Sequence, residues 1–132
     1  MRRCKDHCGG RAKPGAVYLI KQTGTDFYKI GMVYGGSKKK NARDYQIRPI
    51  EVALNQRLLG LQACNPIRLK LIYWFASLDV HSAESTMHDN YSAQNIRGEW
   101  FRLSAGDVAK FMAIGTAMTF RCNRYRCGPT YR

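Results

Sequence analysis

The sequence predicts an α+β fold: a small, mostly antiparallel three-stranded sheet flanked by helices, with a basic arm at each end. Three observations lead there. Two strand-like stretches joined by turn residues open the body of the chain. Segments with apolar residues at helical spacing follow. A continuous apolar run of strand length lies between the first two of those segments.

Ala16–Lys21 and Phe27–Val33 are rich in β-branched and aromatic residues and predict two strands. Thr23-Gly24-Thr25-Asp26 between them is turn chemistry, so the pair should form an antiparallel hairpin. Tyr34–Arg48 reads as a Gly- and Lys-rich loop. Pro49–Leu61 predicts a helix, with Pro49 suited to its first turn and Ile50, Ala53, Leu54, Leu58 and Leu61 forming its apolar stripe. Asn65-Pro66 ends it. Leu69–Ala76 is expected to be a buried third strand. Ser82–Ala93 predicts a second helix, with Ala83, Met87 and Tyr91 facing the core. Glu99–Leu103 is a short extended piece. Ser104 and Asp107 resemble a capping box before a last helix with Val108, Phe111 and Met112 inward. Trp100 and Phe101 are expected to anchor the core. The domain so read spans residues 15–115, between a Cys-containing basic arm (1–14) and a similar tail (116–132). The order is β-β-α-β-α-(β)-α, without an internal repeat.

At 132 residues the chain suits one core. Its 22 Lys and Arg against 9 Asp and Glu give a net charge of +13. Such a field attracts polyanions, and nucleic acid is the expected partner because each neutralised phosphate releases a counterion. No apolar run is long enough for a membrane span, no basic amphipathic helix suggests a membrane surface, and the N-terminus lacks an apolar signal segment. A cytoplasmic location is expected, in the host cytoplasm or nucleoid if the chain is viral.

A phosphodiesterase needs a carboxylate for a divalent cation that offsets the charge built up in the transition state. Glu84 and His88, four apart on one helix, share a face distinct from that of Ala83, Met87 and Tyr91. Spacing alone also fits an ordinary exposed pair. Lys29, Lys38, Lys39, Lys40 and Arg43 are candidate nucleic-acid contacts, and the loop bearing four of them either tracks nucleic acid or is idle.

Ala16-Val17-Tyr18 and Lys29-Ile30-Gly31, separated by residues 19–28, resemble the paired motifs of GIY-YIG nucleases. Arg57 falls on the following helix and Glu84 on the next, where that superfamily carries its arginine and glutamate. Tyr28-Lys29-Ile30-Gly31, Glu84-x3-His88 and Gly98-Glu99-Trp100-Phe101 resemble the branch common in phages and large DNA viruses. The resemblance covers roughly residues 15–112. It implies that Tyr18 orients or deprotonates the attacking water. Arg57 would hold the scissile phosphate, Glu84 would bind Mg²⁺ or Mn²⁺, and His88 would contact phosphate or assist proton transfer. Two positions depart from the motifs: Ala16 replaces a glycine, and Lys29 stands at the second tyrosine with Tyr28 one residue earlier. Neighbouring strand residues face opposite ways, so Tyr28, also a catalytic candidate, and Lys29 compete for one site.

Cys4, Cys8, Cys122 and Cys127 form two close pairs at opposite ends, a candidate structural Zn²⁺ site with His7 as a substitute ligand. Thiols in basic arms fit the same pattern. Cys64 is expected to be a small buried or turn residue. Glu99 is expected to cap or salt-bridge locally.

The function expected is metal-dependent endonucleolytic hydrolysis of nucleic acid, DNA over RNA. Two rivals stand beside it: a module of the same fold that grips nucleic acid without cutting, and a structural nucleoprotein or virion component. Target sequence and oligomeric state are not legible.

Overall fold

Gly15–Gln22 (β1) and Phe27–Tyr34 (β2) form the antiparallel hairpin, with Gly15 opposite Tyr34 and Lys21 opposite Tyr28. Gly24 in the connecting turn has φ +82°, a conformation open to glycine at little cost. The structure, a computed structural model, describes residues 13–35 and 47–125, with the backbone alone at 47–49 and 120–125. After the hairpin come α1 (Ile47–Ala63), β3 (Leu69–Ser77) and α2 (Val80–Asn90). A single 3-10 turn (Ser92–Gln94), β4 (Asn95–Arg97), β5 (Trp100–Arg102) and α3 (Ala105–Tyr125) complete the order. α3 thus runs on through residue 116.

The sheet has five strands, not the three expected, in the order β3-β1-β2-β5-β4, and its pairings are antiparallel. The fold remains α+β. The two additional strands have three residues each, and all of β4 is exposed. Such segments show no apolar alternation; what makes them strands is pairing, of β5 to β2, far away in sequence, and of β4 to β5.

Strand alternation divides the core. Ala16, Tyr18 and Ile20 of β1 join Val33, Ile50, Leu54 and Leu69 on the face covered by α1. Val17, Leu19, Tyr28 and Ile30 join Phe75, Ala83, Met87, Phe101 and Phe111 on the face covered by α2 and α3. Phe111 packs its ring edge-on to Tyr73 (centroids 6.1 Å) and Phe75 (6.3 Å), which fastens α3 to β3. Gly115 permits that approach, since a Cβ there would stand 2.6 Å from Phe75 Cδ1.

Local chemistry sets the ends of these elements. Asp79 caps α2 by accepting from Ser82 N–H at 3.3 Å. The expected capping box of α3 is present: Asp107 N–H donates to Ser104 Oγ (3.1 Å), and Ser104 N–H to Asp107 Oδ2 (3.0 Å). Gln62 bolts the α1–β3 link by donating to Asn65 O (3.1 Å) and Ile67 O (3.0 Å) and accepting from Leu69 N–H (2.7 Å). Cys64 lies in the turn after α1 and is exposed.

Candidate active site

The site forms where a strand stops short. β5 pairs only with Phe27, Tyr28 and Lys29 of β2, and its last bond is Ile30 N–H to Glu99 O at 3.0 Å. Beyond it, no strand among the described residues pairs with the outer edge of β2. α2 occupies that edge, and His88 Nε2 donates to the Ile30 carbonyl at 2.9 Å. Its ring stands edge-on to Phe101, with centroids 5.1 Å apart.

From the α1 side come Tyr18 and Arg57. Tyr18 sits opposite Gly31 in the hairpin register. A Cβ on Gly31 would collide with the Tyr18 phenol, so the glycine lets the ring lie across the β2 backbone. Arg57 Nη1 donates to the Tyr18 hydroxyl and to Met32 O, both at 3.3 Å. The Arg57 side chain otherwise stays exposed, with guanidinium donors left for an anion. Burial pushes the Tyr18 phenol above its usual 10.0, and the neighbouring Arg57 and Lys29 only partly oppose this.

The β2 register also resolves the competition at residues 28 and 29. Lys29, opposite Ile20 and Trp100, lies on the Tyr18 face. Tyr28, opposite Phe101, lies on the other face, buried with Ala83 and Met87, and is not brought to Tyr18 and Arg57. Lys29 Nζ meets Glu99 Oε1 at 2.6 Å and stands 6.0 Å from the Trp100 ring centroid.

Glu84, His88 and Glu99 each place one potential ligand atom within 4.8 Å of the others. They are not three equal ligands. A His88 Nε2 that donates to Ile30 O has no lone pair for a metal, although it lies 3.8 Å from Glu84 Oε2. Glu99 is held by Lys29. Glu84 is the carboxylate best able to hold a cation, and its hard oxygens suit Mg²⁺ or Mn²⁺, which bind through one or two carboxylates plus water and phosphate. Burial, and then Glu99, raise the Glu84 carboxyl above its usual 4.5, against the pull of His88, His81 and Lys29.

Tyr18, Arg57, Glu84, His88 and Lys29 are thus gathered around one notch in the sheet. Glu99 belongs with them, and its salt bridge is to a residue 70 positions away rather than a local one. Its signal was the carboxylate inside Gly98-Glu99-Trp100-Phe101, but only the β2–β5 register shows its partner. Lys38, Lys39, Lys40, Arg43, Cys4, Cys8 and Cys127 lie outside the described residues, and at Cys122 only the helical backbone is described.

Residues 15–114, from the start of β1 into α3, match the T5orf172 domain. The chain belongs to the T5orf172 domain family. No curated protein and no solved structure matches it. The T5orf172 domain is phage-associated and is linked to nuclease-like and DNA-binding domains, which agrees at a coarse level with the chain's charge. Among the described residues of this T5orf172 protein, no helix is long and apolar enough to cross a membrane.

Proposed function

We propose that this T5orf172 domain is a metal-dependent endonuclease of GIY-YIG type, hydrolysing phosphodiester bonds in nucleic acid, with DNA the first substrate to test. The observation that carries the reading is the notch itself. It sets an arginine-bonded tyrosine from one face of the sheet beside a carboxylate and an imidazole from the other, with Lys29 charged toward both.

In this reading Arg57 and Lys29 bind the phosphate and offset the negative charge that grows on its oxygens. Arg57 donates to the Tyr18 oxygen, which leaves the phenolic proton to orient a water or a phosphate oxygen. Tyr18 stays protonated at neutral pH, so orientation is its first role. His88 donates through Nε2, which leaves Nδ1 as the ring nitrogen to accept the proton that the attacking water releases. The water oxygen bonds to phosphorus, and the bond from phosphorus to the leaving oxygen breaks. A cation held by Glu84 would supply Lewis-acid stabilisation of the phosphate charge.

The rival reading, a domain that grips nucleic acid without cutting, draws support from the Lys29–Glu99 pair, which neutralises one of the two carboxylates. Supercoiled plasmid incubated with Mg²⁺ or Mn²⁺ separates the two. The nuclease requires nicking by the wild type, with binding but no nicking by Glu84→Gln and Arg57→Ala. A wild type that binds plasmid and never nicks with either metal leaves the binding module.

A further inference from the structure

Beside the notch, on the Tyr18 face, lies an open cleft of about 310 Å³, lined by Gln22, Phe27, Asn65, Ile96, Arg97 and Trp100. That is the lower end of the range for small-molecule pockets. Strand register ties it to the site. Phe27, Lys29 and Gly31 are alternate residues of β2 and stand in one row, roughly 7 Å from one to the next. The row leads from the cleft at Phe27, past Lys29, to Gly31 beneath the Tyr18 phenol. Trp100 lines the cleft and lies opposite Lys29, so cleft and site share a wall.

The lining is mostly apolar. Phe27 and Trp100 provide flat apolar surfaces, and Ile96 leaves 48% of its surface open to solvent. Arg97 is at the cleft, and the Arg102 guanidinium lies 5.2 Å from the centre of the Phe27 ring. Aromatic and apolar walls for stacking, with cations nearby for the adjoining phosphates, are what an unstacked nucleobase requires. A base within a duplex keeps its faces covered by neighbours, so only an unpaired or extruded base can enter.

We propose that this cleft holds an unstacked nucleobase of the bound strand, next to the phosphate that Lys29 and Arg57 address. The site therefore takes single-stranded or locally unpaired nucleic acid in preference to intact duplex. The inference rests on nucleic-acid binding by this face, and its test needs no cleavage.

Fluorescence anisotropy in EDTA compares three labelled probes of equal length: a DNA single strand, its duplex, and an abasic strand with the same phosphates. Wild type should favour the single strand over the abasic strand. Phe27→Ala should weaken single-strand binding roughly 5- to 150-fold while leaving abasic-strand binding unchanged. Ile96→Ser, at an exposed position of β4, should act in the same direction more weakly. Equal affinity of wild type for normal and abasic strands would overturn the proposal, as would an equal loss on single strand and duplex, or no binding to any probe. Plasmid nicking is scored separately, so a failed nuclease reading appears as binding with base preference but no cutting.

Discussion

Gly31 and Tyr18 face each other across the β1–β2 ladder, and the phenol of one fills the space where the other would carry a side chain. Gly31 is therefore a steric requirement of the Tyr18 ring. Gly31→Ala should displace the ring or force the strands apart. Overpacking of this kind costs about 1–3 kcal/mol. The expected result is a lowered Tm together with loss of nicking. Retained stability with full nicking would show that the phenol has room to move.

Glu84 supplies a pH test with a definite sign. Its folded-state pKa is raised above the usual value, so the folded chain holds the proton more tightly than the unfolded chain. Stability should therefore fall as pH rises from about 4.5 through the folded pKa. Glu84→Gln should flatten that fall and raise Tm at neutral pH. Mg²⁺ or Mn²⁺ should raise the Tm of the wild type at neutral pH but not that of Glu84→Gln. Equal metal effects on both proteins would remove Glu84 as the ligand.

His88 should carry its proton on Nε2 when neutral, because the Ile30 carbonyl can only accept. Nitrogen-15 NMR of the imidazole reads the tautomer directly. His88→Ala leaves that carbonyl without its partner, at a cost of about 1–3 kcal/mol, measurable by urea denaturation. An Nδ1–H tautomer would contradict the hydrogen bond and the proton-acceptor role built on it.

Lys29 must exchange its Glu99 partner for phosphate when nucleic acid arrives. Lys29→Met should weaken binding and reduce the slope of log affinity against log salt by about one. An unchanged slope would mean that the lysine serves only Glu99.

Much of this arrangement was legible before any coordinates. Periodicity is a local property, and it located the hairpin, β3 and the three helices. The capping box at Ser104 and Asp107 followed from two residues. Glu84 and His88 were marked by their spacing on one helix, whereas Arg57 was marked only by the family resemblance. What could not be read was long-range pairing. β4 and β5 are too short for a pattern, and Tyr28 against Lys29 was decided by which residue faces Phe101 and which faces Trp100. Glu99 stayed hidden for the same reason. Trp100 was expected to anchor the core; it packs against the α1-side cluster and also lines the cleft.

The short β5 has a consequence for self-association. A strand that outlasts its neighbour presents unpaired backbone groups, and such an edge templates pairing with another chain. Here the Ile30 carbonyl is taken by the His88 side chain instead of a sixth strand or a second molecule. The imidazole proposed as a proton acceptor thus also guards the sheet's open margin, so losing it exposes an adhesive edge at the very place where nucleic acid is expected to lie.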